Sequence, residues 1–406
     1  MQAELRIFHL IAKQELRMNL SPIDQNELVS LLQKLVQAES PTGQERLTAD
    51  IAQSAMTTLN FDRVWRDDYG NVIGERRGSL PGPALLFEAH MDVVAAGKLE
   101  DWADDPFSGR LIEGKIYGRG AADTKGSLAS LICAIASIPR EQIRGTLYAV
   151  GSVGEETLEG AGLRKVIQAL QPQGVVVGEP TGCRLAIGQK GRARIVFTAH
   201  GRPAHSSSPH LGENAVLKGA EIVRRVESLP LPEDSLLGRG VMVPLLIRSK
   251  PLPPVMGTIP HECQVLYDRR LIKGETPESV LAEYQQALAD LPGWDAAVDQ
   301  AGFETYTGIN LTAPDFHHGW HMPPESAWVQ SAANALLQSG IEAGIHAVPY
   351  CTNGSVAAGE MGLPTLIFGP GEIAQAHVPN EHISVSELLR GARGYAALAQ
   401  ELSTAF

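Results

Sequence analysis

The chain has 406 residues, a formal net charge of −12, 44% hydrophobic and 20% charged residues, which is too long for one ordinary core and points to two domains. An acidic field of this kind excludes nucleic acid and anionic membrane surfaces as general partners, and no apolar run approaches a membrane span. Cys133, Cys183, Cys263 and Cys351 lie far apart with no CxxC pair, which argues against a disulfide framework or a cysteine zinc site and fits a reducing, cytoplasmic compartment.

In chain order, the N-terminal stretch "MQAELRIFHLIAKQELRMNL" has scattered charges and no small-residue cleavage site, so it does not read as a signal peptide. The part before Met18 is either an upstream helix or an over-long start. Residues 24–38 have helical apolar spacing, with Pro22 and Asp24 at the start. Apolar β-type runs follow at 84–89, 145–153, 174–178 and 364–368, with helical stretches at 126–138 and 161–170. Continuous apolar strands alternating with helices predict an α/β domain with a mostly parallel sheet.

The character changes near residue 190. "ARIVFTAHG", "GVMVPLLIRSK", "ECQVLYDRRL" and "DAAVDQAGFE" read as strands, and "GENAVLKGAEIVRRVESL" and "TPESVLAEYQQALADL" as helices. The order β-α-β-β-α-β is the ferredoxin-like pattern. The reading is therefore a catalytic domain in two parts, 1–190 and 315–406, interrupted by an inserted domain at 191–314.

Ligands of open α/β sheets bind outside the carboxyl ends of the strands. Those ends carry His90 and Asp92, Asp123, Glu155 and Glu156, Glu179, and His377. Taken singly, each is more often a turn or solvated loop residue. Together they are hard-metal ligands with no apolar alternative, and clustered carboxylates are costly without a cation. Imidazole and carboxylate suit Zn²⁺. Two ions need a bridging carboxylate, and a further unligated carboxylate must take the proton of an activated water. In "HMD", residues i and i+2 of an extended segment share a side, so Asp92 can orient His90.

The blocks "HMDVV", "IYGRGAADTKG", "GEE", "GEP", "GRPAHSSSP" and "GPGEIAQAHVPNE", in this order, resemble the dinuclear zinc metallopeptidase and deacylase family that includes acetylornithine deacetylase, succinyl-diaminopimelate desuccinylase, aminoacylase and carboxypeptidase G. The likeness runs from about residue 24 to the C-terminus. "GQKGRA", "LGRG", "DRRLIKGET" and "TNG" are most similar to its selenium- or purine-metabolism-linked hydrolase branch. The resemblance implies two Zn²⁺ per chain, with Co²⁺ or Mn²⁺ able to substitute. His90 and Glu179 would bind one ion, Glu156 and His377 the other, and Asp123 both. Asp92 would orient His90, and Glu155 would be the general base and acid.

The inserted domain would be a dimerisation lid, and His205 would reach the partner's active site to stabilise an oxyanion. Read alone, "HSSSP" is a loop or cap. Arg270 matches the arginine that holds a substrate carboxylate. A solvated strand residue paired with Asp268 or Glu262 is the rival reading, and Arg269 is the other candidate. Asn353 is a further candidate for substrate contact. One departure concerns specificity, because Met256 and Gly257 stand where the desuccinylases have an asparagine pair.

The expected activity is hydrolysis of the amide bond of a small N-acyl amino acid. A dipeptidase or carboxypeptidase of the same family is the close alternative, and a catalytically silent metal- or amino-acid-binding member the distant one.

Overall fold

The computed structural model describes residues 23–250, 257–342 and 344–404. The expectations for residues 1–17, Pro22 and Met256 lie outside them. Among the described residues no helix is long and apolar enough to cross a membrane.

Helix α1 (Gln25–Gln37) starts where the sequence says it should, because the Asp24 carboxylate accepts from the N–H groups of Asn26 and Glu27. Its buried stripe is Leu28, Leu31, Leu32, Leu35 and Val36. Helix α2 (Arg46–Thr58) follows. The first sheet has nine strands. In chain order its main members are β1 (Arg63–Arg66), β2 (Val72–Arg77), β3 (Leu80–His90), β4 (Arg144–Ser152), β5 (Gly174–Val177) and β6 (Ala186–Gln189).

Strands β3, β4 and β5 are the apolar runs, and β3 pairs in parallel with both β4 and β5. Helices α3 (Lys125–Ser137) and α4 (Ala161–Leu170) lie between them in the chain. Val175, Val176 and Val177 are fully buried, as a strand covered on both faces must be.

The second sheet contains β7 (Gly191–His200), β8 (Val241–Lys250), β9 (Glu262–Leu271) and β10 (Trp294–Val298). They pair antiparallel in the order β8-β9-β7-β10, the ferredoxin-like order that the β-α-β-β-α-β reading requires. Helices α5 (Ala215–Val226) and α6 (Pro277–Ala287) cover one face. Helix α6 has the expected Thr276 cap and Pro277 at its first turn. This second sheet and its helices have their own core around Phe197, Tyr267 and Tyr284.

One strand reading needs correction. "DAAVDQAGFE" is not one strand, because β10 ends at Val298 and the chain leaves the lid sheet at Asp299. Residues β11 (Gln300–Glu304) and β12 (Asn310–Pro314) form a separate antiparallel hairpin. The Asp315 N–H then returns to the Asp299 carbonyl at 2.8 Å, and Phe316–His317 adds a short fifth strand beside β7, past residue 314. The chain goes on through α7 (Ala327–Gln338), β13 (Thr365–Ile367), parallel to β5, and α8 (Val385–Leu402).

Candidate active site

Residues that follow β4, β5 and β13 line one cleft of about 460 Å³, together with Arg192 and Arg194 of β7 and Asp268 and Arg270 of β9. His90 is the last residue of β3. Its Nε2 lies 3.2 Å from Asp123 Oδ1, 3.8 Å from Glu155 Oε2 and 4.0 Å from Glu179 Oε1. The other oxygen of Asp123 faces His377 Nε2 at 3.3 Å, and that nitrogen is 3.1 Å from Glu156 Oε2. Two donor groups result, His90–Asp123–Glu179 and Asp123–Glu156–His377, with Asp123 common to both. These are the seven strand-end residues read from the sequence less Glu155 and Asp92, which stand beside the groups.

Asp92 is fully buried and does more than face His90. The His90 Nδ1 is 2.9 Å from the Asp92 backbone oxygen and 3.5 Å from its carboxylate. That carboxylate accepts from the N–H of Glu155 (3.1 Å), the N–H of Glu156 (3.1 Å) and the Thr42 hydroxyl (2.7 Å). It thus ties the end of β3 to the loop after β4. Asp123 is fixed in the same way. Glu381 Oε1 accepts from the N–H groups of Ala122 (2.9 Å) and Asp123 (3.0 Å), while Arg119 holds the other oxygen at 2.6 Å.

The electrostatics follow from four largely buried carboxylates, Asp123, Glu155, Glu156 and Glu179, sharing one cleft. Burial pushes Glu155 well above the usual carboxylate range, opposed by His90 and reinforced by Glu179 and Glu156. Glu179 is pushed well up for the same first reason. Burial opposes ionisation of Asp123 too, yet hydrogen bonds from His377 and His90 outweigh it and hold its carboxyl low. Hydrogen bonds to Asp123 and Glu156 raise His377 to about 10. Clustered carboxylates of this kind favour positive charge in the site. Oxygen and imidazole donors in two groups with a shared carboxylate fit a pair of divalent ions.

A third group, Glu159, Asp315 and His317, has similar donors. Its cation position is taken, since Arg192 Nη2 lies 2.6 Å from Glu159 and 3.0 Å from Asp315.

The rival arginines separate cleanly. Arg269 is 1% exposed and is held by the Tyr284 hydroxyl (2.8 Å), Glu275 (2.6 Å) and Glu283 (2.7 Å). Arg270 lines the cleft, with its Nε 3.1 Å from Asp268. Replacing Arg269 by methionine is expected to destabilise the lid by about 3 kcal/mol, because Glu275 and Glu283 lose their cation. Urea unfolding checks this, and Arg270→Ala should unfold with the parent.

In place of the expected substrate contact, Asn353 is buried beneath the cleft. Its amide donates to Glu88 (2.8 Å) and Ser152 (3.1 Å) and accepts from the Gly160 N–H at 2.5 Å. Both N–H donors of the amide are thereby used within the protein. His205 is exposed on its loop, with Nδ1 2.7 Å from the Ser207 hydroxyl, and is not among the residues that line the cleft.

Glu45 is a supporting residue that the sequence reading passed over. It is fully buried; one oxygen accepts from the Gly154 N–H at 3.2 Å and the other has no partner among the described residues. Burial, then the charge of Asp92, lift it from 4.5 to about 8. Its folded value lies above the unfolded one, so stability falls as pH rises from 4.5 through 8. Glu45→Gln is expected to flatten that part of a plot of thermal midpoint against pH.

The parallel sheet and the shared-carboxylate cluster define a metal-dependent hydrolase. The comparisons supply the family: residues 86–401 match Peptidase family M20/M25/M40. Over 384 residues the chain is 31% identical to the uncharacterized protein YgeY of Escherichia coli K12, covering 92% of this chain and 94% of that one. It is 29% identical over 296 residues to succinyl-diaminopimelate desuccinylase of Rhodospirillum centenum, covering 68% and 75%. The aminopeptidase PepT structure from Bacillus cereus superposes with a TM-score of 0.73 at 23% identity, covering 94% of this chain and 99% of that one. The chain belongs to the M20 peptidase family and is a metal-dependent hydrolase.

Proposed function

We propose that this protein cleaves the amide bond of a small N-acyl amino acid with two divalent ions, zinc first and cobalt or manganese as substitutes. His90 and Glu179 would hold one ion, Glu156 and His377 the other, and Asp123 would serve both. The observation that carries the reading is that Asp123 belongs to both donor groups while Glu155, unshared, sits buried beside them.

When bound, the ions polarise the scissile carbonyl and lower the pKa of the attacking water. Glu155 takes that water's proton and later returns it to the departing nitrogen, a transfer suited to a carboxyl whose pKa burial has raised. Asp92 fixes the base by accepting the N–H groups of Glu155 and Glu156. Arg270 binds the substrate carboxylate, and Arg270→Ala is expected to raise KM with kcat little changed. A silent, binding-only member is disfavoured by the presence of Glu155 in the cleft.

We assign His205 to the oxyanion of a second copy, across a homodimer formed by the lids. Strand β8 supports this: it is the edge of its sheet and leaves Val243, Leu245 and Ile247 about half exposed, a row suited to a twofold-related strand. A cytoplasmic setting accords with four free cysteines. The selenium- or purine-linked branch stays a proposal resting on "GQKGRA" and "DRRLIKGET".

Hydrolysis of a panel of N-acetyl and N-succinyl amino acids and dipeptides by the zinc-loaded protein tests the substrate class. Turnover of the acyl amino acids is expected. Turnover of dipeptides alone would favour the dipeptidase reading. Succinyl-diaminopimelate itself is not the expected substrate, because Gly257 offers no amide at one of the two asparagine positions.

A further inference from the structure

The hairpin β11–β12 has both ends in the lid, yet its body lies on the first domain. The Tyr306 hydroxyl donates to the Gly70 carbonyl at 2.6 Å and the Thr307 hydroxyl to the Asp68 carbonyl at 2.7 Å. Arg46 donates to the Tyr306 carbonyl at 2.9 Å and lies 5.1 Å over its ring. Two glycines of the first domain make room for two aromatic rings. A Cβ at Gly70 would stand 2.3 Å from the Tyr306 ring, and one at Gly154 would stand 1.8 Å from Cζ of Phe303.

Gly154 has φ +75° and immediately precedes Glu155. Its N–H is held by Glu45 at 3.2 Å, and the next two N–H groups are held by Asp92 at 3.1 Å each. The start of this loop is therefore gripped by carboxylates through its N–H groups and by the Phe303 ring against the bare Cα of Gly154.

We propose that Phe303 is a positioning residue for Glu155, by which the lid hairpin clamps Gly154 and fixes the base. The proposal rests on the reading of Glu155 as the base. The Phe303 ring, seated against Gly154, bears on the turn that aims the carboxylate, and a small misplacement of a reacting group costs rate rather than binding. The hairpin also makes lid placement and base geometry one mechanical unit, since Asp299 and Asp315 join it to β10 and β7.

The test compares Phe303→Ala and Phe303→Leu in the full, zinc-loaded chain. Phe303→Ala is expected to lower kcat about tenfold with KM and metal content within about twofold of the parent. Amide exchange at Gly154 and Glu155 should speed about tenfold while that of Val175–Val177 stays fixed. Phe303→Leu should recover most of both, and if the alanine variant fails to fold, Phe303→Val takes its place with the same expected losses. In addition, Gly154→Ala should cost less activity beside Phe303→Ala than alone. Unchanged exchange at Gly154 and Glu155 in Phe303→Ala, alongside an inactive Glu155→Gln variant, overturns this proposal alone. An active Glu155→Gln variant overturns the base assignment instead.

Discussion

Replacing Glu155 by glutamine is expected to abolish hydrolysis while leaving both ions bound. Glutamine keeps the shape of the side chain and the backbone N–H that Asp92 holds at 3.1 Å. It cannot accept a proton. Loss of a general base typically costs about 10²–10⁴ in rate, and Glu155 has two proton transfers to perform, so the upper part of that range applies. Metal content should be unaffected because Glu155 belongs to neither donor group. Turnover assays paired with elemental analysis of the same sample check both halves. A variant that hydrolyses as fast as the parent would contradict the mechanism, and one that loses its metal would make Glu155 a ligand.

The second large effect is expected at Asp123. Its two oxygens face different histidines, at 3.2 Å to His90 and 3.3 Å to His377. Asp123→Ala removes the donor that the two groups share, so both ions should weaken together, by more than the roughly 10–100-fold typical of an outer-shell change. His377→Ala removes a donor from one group only and should release one ion in preference to the other. Metal titration of the two variants separates a shared ligand from two independent sites. Equal, single-ion losses in both variants would show that Asp123 does not bridge.

Much of this arrangement was legible in the sequence because a parallel strand announces itself twice. Its apolar run marks the element, and the polar residue that ends the run marks the cleft. His90, Glu155 and Glu179 follow β3, β4 and β5 in that manner. What stayed hidden was pairing over long sequence separations. Glu381 holds the backbone of Asp123 from 258 residues away, and Asp92 binds the Glu155 amide across 63; neither spacing carries a periodic signal.

Asn353 reads from the sequence as a candidate substrate contact, and its long-range buried partners carry no sequence signal. Glu88 of β3 and Ser152 at the end of β4 accept from its amide. The run "DAAVDQAGFE" has strand composition throughout, and nothing in its residue types reveals that the chain changes sheets at Asp299. Arg192, Glu159 and His317 form their network only because β7 begins where the loop after β4 ends in space.

The most direct measurement is anomalous diffraction at the zinc edge from zinc-loaded crystals. Two peaks about 3.5–4 Å apart are expected, one among His90, Asp123 and Glu179 and one among Asp123, Glu156 and His377. A single peak, or zinc displaced to Glu159, Asp315 and His317, would contradict the account.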